Sequence, residues 1–261
     1  MAGFTPRNVL MIQLMHGDCL ERMREIPDGS VDMIFADLPF GTTDCAWDAV
    51  IPLAPMWEQF HRVAKGNAAI VLFSDEPFTC QLISSNIKEF RYKWIWDKMK
   101  GSNFANAKKM PMKSHVEICV FYKKLPTYNP QWWYSKPYRT HARMRAKDVD
   151  MLANGGAVKE YRPSTESRDG KRYPLSIIKV PRDTDRIHPT QKPVKLLEYL
   201  IRTYTREGDV VLDPCMGSGS TGLAAANTGR SFIGIELDDE YYDMARGRIE
   251  SYGGQMRMEG M

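Results

Sequence analysis

The chain has 261 residues, room for one large domain or one domain with an insertion, and its 43% hydrophobic content supports a sizeable core. The N-terminal run Val9-Leu10-Met11-Ile12-Gln13-Leu14-Met15 is too short to cross a bilayer, and nothing reads as a signal peptide. Five scattered cysteines, Cys19, Cys45, Cys80, Cys119 and Cys215, make no CxxC pair, which argues against a structural zinc site and a disulfide framework and fits a reducing cytoplasm. No metal site is expected.

The net charge is only +4, but it is unevenly placed. From Lys123 to Arg186 there are 15 Lys and Arg against 7 Asp and Glu, or +8, leaving −4 for the rest of the chain. The same stretch holds Tyr128, Trp132, Trp133, Tyr134 and Tyr138. Cations interleaved with aromatics suit a polyanion with stackable bases, so this segment is expected to meet nucleic acid.

In chain order, Val31–Ala36 and Ala69–Phe73 read as buried strands, and Pro77 to Asn86 as a helix with proline in its first turn. Tyr92–Trp96 and Val116–Tyr122 are further strands, the second free to pair antiparallel because no helix follows it. About 65 residues of low periodicity come next, Lys123 to Ile187, long enough to be an inserted subdomain. After Pro193, Leu196, Leu197, Leu200, Ile201 and Tyr204 sit at helical spacing, and Gly208 ends the helix. Asp209–Leu212 is a strand, Thr221–Asn227 a helix, Ser231–Ile235 a strand, and about Asp239 to Glu250 a helix. This alternation predicts an α/β fold with a mainly parallel sheet.

Two stretches carry chemistry. In the first, strand residues Val31–Ala36 run into Asp37-Leu38-Pro39-Phe40 and then Gly41-Thr42-Thr43: a carboxylate, a rigid turn and an aromatic ring at a strand end. In the second, Asp213-Pro214-Cys215-Met216-Gly217-Ser218-Gly219 joins a strand to a helix that opens near Ser220-Thr221. Glycines there let the backbone approach a ligand, and the helix start presents unpaired N–H groups. Glu236 follows Asp213 by 23 residues, close to the spacing at which an acid meets a nucleoside ribose in a βαβ unit. The glycine pattern suits a nucleoside without a pyrophosphate better than a dinucleotide, and no Walker lysine follows it.

With both stretches in hand, the chain resembles the S-adenosylmethionine-dependent amino-methyltransferases of DNA. Their [D/N/S]-P-P-[Y/F] tetrapeptide matches Asp37-Leu38-Pro39-Phe40, and their F-x-G-x-G-like loop matches the Asp213–Gly219 stretch. The tetrapeptide comes first, a basic segment follows and the glycine loop comes last, which resembles the β arrangement of that family. "HGDCLERMREIPDGSVDMIFADLPF", "HVEICVFYKK" and "HPTQKPVKLLEYLIR" are further similar segments. Leu38 and Phe40 depart from the commoner proline and tyrosine. A backbone carbonyl at Leu38 and a stacking ring at Phe40 survive the change.

The resemblance implies a Rossmann-like, seven-stranded, circularly permuted methyltransferase sheet with an inserted basic target-recognition region. Residues 1–122 would form the catalytic half, 123–187 the insertion and 188–261 the cofactor half. It implies transfer of a methyl group from S-adenosyl-L-methionine to the N6 amine of a flipped-out adenine in double-stranded DNA, with Asp37, Leu38, Pro39 and Phe40 at the reacting base. Asp18 and Cys19 would flank the cofactor's adenine, and Glu236 and Leu237 would lie near its ribose. Gly217 and Gly219 would pass beneath its methionine part, and Thr190, Gln191 and Lys192 would approach its carboxylate. Asp37, Asp213, Cys215, Met216, Ser218, Ser220 and Thr221 would complete the cofactor site. Lys98, Lys100, Lys108 and Lys109, with the insertion, would hold the opened DNA. This arrangement of the family is often dimeric. The alternatives are an N4-cytosine enzyme of DNA, whose tetrapeptide more often begins with serine, an RNA or protein-amide methyltransferase, and a catalytically silent DNA-binding module on the same fold.

Overall fold

The computed structural model describes residues 10–41, 49–140, 143–146, 159–162, 165–183 and 191–258. Thr42, Thr43, Cys45 and Thr190 lie outside them. The chain divides into two compact units, one of residues 1–129 with 176–261, the other of residues 130–175.

The first unit is built on β1 (Ile12–His16), β2 (Val31–Asp37), β3 (Ala64–Ser74), β4 (Phe90–Ser102) and β5 (Lys113–Phe121). In the second, β6 (Trp133–Tyr134) pairs with β11 (Lys171–Arg172), β7 (Tyr138–Arg139) with β10 (Glu166–Ser167), and β8 (Arg143–Ala146) with β9 (Lys159–Arg162), each antiparallel. The chain then re-enters the first unit with β12 (Ile177–Lys179), β13 (Val210–Asp213) and β14 (Ser231–Glu236). The main sheet runs β1-β14-β13-β2-β3-β5-β4-β12. Every pairing in it is parallel except those of β5, which lies antiparallel to both β3 and β4.

Eight strands stand where seven were expected, because residues 176–179 of the anticipated insertion join the sheet edge. The Ile95 amide donates to the Ser176 carbonyl, and the Ile178 side chain is buried in the core. The separate unit is therefore shorter at both ends than the low-periodicity stretch.

Strand residues alternate between two buried faces. Met33, Phe35, Val71, Phe73, Ile118 and Val120 pack on one side with Leu200, Ala224 and Ala245 of α4 (Val194–Tyr204), α5 (Ser220–Asn227) and α6 (Asp239–Met258). Ile34, Ala36, Ile70, Leu72, Cys119 and Phe121 pack on the other with Cys19 of α1 (Cys19–Arg22), Phe60 of α2 (Leu53–Val63) and Leu82 of α3 (Phe78–Ser85). Burial on both faces is why these strands read as continuous apolar runs. Helix α2 was not anticipated, although Met56, Trp57, Phe60 and Val63 follow a helical period and are all buried.

Strand order fixes where ligands can bind. From β13 the chain goes through α5 to β14 on one side. From β2 it goes through α2 to β3 on the other. The crevice between the carboxyl ends of β13 and β2 is the switch point of the sheet. Leu212 pairs with Ile34, so Asp213 and Asp37 end adjacent strands there.

Candidate active site

A cleft of about 760 Å³ opens at this switch point. It collects residues from distant parts of the chain: Asp18 and Cys19; Asp37, Leu38, Pro39 and Phe40; Gln191 and Lys192; Asp213, Cys215, Met216, Gly217, Ser218, Ser220 and Thr221; and Glu236 and Leu237. The volume lies in the range of small-molecule sites. Among the described residues no group of three or more His, Cys, Asp or Glu is placed to hold a metal.

Asp37 ends β2. Its Oδ2 accepts from Lys192 Nζ, while its Oδ1 is buried with no hydrogen-bond partner among the described residues. A buried carboxylate oxygen left unpaired costs roughly 1–3 kcal/mol or more, so this atom marks where a donor from outside the chain belongs. Lys192 sets the orientation of the carboxylate by holding Oδ2. Leu38, at the position of the commoner proline, buries its side chain in the core and so anchors the turn. The Phe40 ring packs 5.4 Å from that of Phe78, one face against protein.

The second carboxylate, Glu236, ends β14 and is satisfied within the chain. Its Oε2 accepts from the Gly217 amide at 2.8 Å, and its Oε1 accepts from the amides of Leu237 at 2.9 Å and Asp238 at 3.0 Å. It ties the glycine loop to the loop after β14. Asp18 also has a structural task that spacing did not reveal: it caps α1, its Oδ1 accepting from the Leu20 and Glu21 amides at 2.8 and 3.1 Å.

Asp213 is buried and accepts from the Cys215 amide at 3.0 Å. Burial, with the Asp37 and Glu236 carboxylates adding repulsion, pushes its carboxyl up to about 7 against hydrogen bonds from Thr221 and Cys215.

The two glycines of the loop separate in role. Gly217 has φ +50° and open space where a Cβ would stand, so the backbone is bare toward the cleft. Gly219, expected beneath the cofactor, is not in the cleft lining. It has φ +77° and precedes α5, and a Cβ there would lie 2.9 Å from the Ala245 Cβ of α6. It permits a turn and a helix contact. Arg248 of α6 donates to the Ser218 carbonyl and holds the loop from behind. No sequence signal singled it out, since it is one of several charges on a polar helix.

The second unit shows its aromatics paired with cations. Trp132 and Tyr173 rings lie 4.3 Å apart, Lys171 Nζ lies 4.5 Å from the Trp132 ring centre, and the Arg172 guanidinium 4.2 Å from that of Tyr138. Tyr134 and Tyr173 are exposed.

The chain is 29% identical over 262 residues to the DNA adenine methyltransferase YhdJ of Escherichia coli (strain K12), covering 91% of this chain and 82% of that one. It is 29% identical over 260 residues to the Type II methyltransferase M2.DpnII of Streptococcus pneumoniae, covering 91% and 89%. Its fold matches the crystal structure of the M1.HpyAVI–SAM complex with a TM-score of 0.61 at 24% identity, over 91% of this chain and all of that one. The N6/N4 methyltransferase family of DNA methylases matches residues 31–247, from the strand that carries Asp37 to the helix behind the glycine loop, and the chain belongs to that family.

Proposed function

We propose that this protein transfers a methyl group from S-adenosylmethionine to the N6 amine of an adenine in double-stranded DNA, with the adenine swung out of the duplex into the cleft beside Asp37. The observation that carries it is the Asp37 carboxylate, held by Lys192 through Oδ2, with its Oδ1 buried and without a partner among the described residues. Similarity to a DNA adenine methyltransferase over nine-tenths of the chain favours adenine as the base.

The cleft fits the cofactor on its own features. The Gly217 backbone is bare toward it, and Asp18, Asp37, Asp213 and Glu236 line it at the switch point where such a ligand would sit. Asp18 and Cys19, residues 213–218 and Glu236 would hold it. When bound, S-adenosylmethionine supplies a methyl group activated by a positively charged sulfur.

The chain's own part is to position and reshape the amine. An exocyclic amine is a poor nucleophile because its lone pair is delocalised into the ring. Asp37 Oδ1 and the Leu38 carbonyl accept its two N–H groups and draw the nitrogen toward a tetrahedral geometry. Pro39 fixes the turn that places them. Phe40 offers its ring to the base. S-adenosylmethionine held in the cleft would supply the methyl group and keep the bonding pair on its sulfur, and the nitrogen would shed one proton past Asp37 to solvent. Orientation of this kind is worth on the order of 7–11 kcal/mol.

The basic unit of residues 130–175 would choose the target, its cation-paired aromatics and arginines meeting phosphates and bases. Replacing Arg143 and Arg145 of β8 by alanine should lower the salt dependence of DNA binding by about two phosphate contacts and leave cofactor affinity unchanged.

The reading is tested by incubating the purified protein with plasmid DNA and S-adenosylmethionine, then sequencing by a method that detects modified bases. Modification of adenine in one sequence context is the expected result. Modified cytosine would move the protein to the N4 group, and unmodified DNA would refute the reading.

A further inference from the structure

Beyond the carboxyl edge of the main sheet, β4 and β5 run on as a hairpin. Register shows by how much. Glu117 of β5 is level with Ser74, the last residue of β3, and with Ile95 of β4, while Phe73 is level with Asp37. Residues 113–116 of β5 therefore overhang the edge, roughly 13 Å of strand. Asp37 sits two to three strands away in the same sheet, about 10–15 Å to the side.

The tip of this hairpin is tied by its own hydrogen bonds. Asn103 stands at φ +67° and accepts at its carbonyl from the Asn106 amide, and its Oδ1 accepts from Asn106 Nδ2 at 2.9 Å. The Ala107 amide donates to the Phe104 carbonyl, and the Met110 amide to that of Asn106. Held on this turn is Phe104, 80% exposed. Lys100, Lys108 and Lys109 are exposed around it, and no acidic residue occurs between Lys98 and Lys113. Water does not favour a bare phenyl ring on a cationic tip, but opened DNA suits it: phosphates attract the lysines, and a gap in the base stack takes the ring.

We infer that Phe104 is the wedge of the duplex: it enters the stack where the target adenine leaves and keeps the base in the cleft. This rests on the reading above and adds to it the residue that holds the DNA open. Apolar side chains inserted at a base step unstack it, and the opening cost they offset is smaller where the base is already unpaired. Phe104 is then a positioning residue. Its effect depends on the partner of the adenine and not on the methyl donor.

The test uses the full chain and duplexes that carry the site found by sequencing, with the target adenine paired to thymine or set opposite an abasic position. Phe104→Ala should transfer methyl groups to the paired duplex at least ten-fold more slowly than wild type and recover most of that loss on the abasic one. With 2-aminopurine at the target, its fluorescence should rise on wild-type binding and rise less with Phe104→Ala. Phe104→Trp should keep both. Exposure of the ring removes folding as a confounder. Equal rates for wild type and Phe104→Ala on the paired duplex, or the same deficit on both duplexes, would overturn the inference alone. So would a variant that changes sedimentation of the free protein while flipping normally, which would make the tip a surface between copies of the chain. A wild-type protein that methylates no DNA would instead bring down the functional reading beneath it.

Discussion

At the end of β14, Glu236 commits both carboxylate oxygens to backbone amides, three in all, and thereby fixes two loops. At the end of β2, Asp37 gives one oxygen to Lys192, and the other is buried and unmatched among the described residues. Both line one cleft. The difference separates a carboxylate that builds the site from one that, on the proposed reading, would receive a substrate. It also alters what Glu236 is expected to do: any contact it makes with a ribose comes in addition to a structural load already in place.

The largest effect should come from the unmatched carboxylate. Asp37→Ala is expected to lower kcat for methyl transfer by at least about 100-fold, because the lost acceptor acts mainly in the transition state. Cofactor and DNA binding should persist, measured by calorimetry and by gel shift. Glu236→Ala should divide the other way. Three amides lose their acceptor, so stability falls by about 1–3 kcal/mol, seen as a midpoint shift in urea, and KM for the cofactor rises more than kcat falls. If Glu236→Ala cut kcat and left stability alone, the contrast between the two carboxylates would collapse.

Asp213 sharpens the comparison through pH. Its carboxyl titrates at about 7 in the folded chain against an ordinary value of 3.8. The folded state thus binds this proton more tightly, and the stability it contributes below pH 4 is lost as pH rises through 7. Asp213→Asn removes that loss. Relative to wild type it should gain about 2–3 kcal/mol between pH 5 and pH 8, in urea titrations at the two pH values. The smallest effects should be at Phe40. Phe40→Ala should cost about 1–3 kcal/mol of base stacking. Phe40→Tyr, which keeps the ring, should stay close to wild type in the same transfer assay.

How legible this was from residues alone depended on what each residue does. Asp37, Gly217 and Glu236 stood out because strand ends, glycine turns and acids have local signatures, and the sheet brings all three to one cleft. The partner of Asp37 is 155 positions away on the segment before α4, and no local pattern announces a pair across that distance. Lys192 was placed near the cofactor for another reason. Gly219 shares its positive φ with Gly217, but its contact with Ala245 depends on where α6 packs, which no local pattern reveals. The last strand of the sheet, β12, was hidden because three residues with one buried side chain carry too short an alternation to be read.

The most direct test of the account follows the methyl group itself. Incubate DNA with the protein and S-adenosylmethionine carrying a deuterated methyl, digest to nucleosides and weigh them. Wild type should yield labelled N6-methyladenine and Asp37→Ala none above background. Label in N4-methylcytosine, or equal label from wild type and Asp37→Ala, would contradict it.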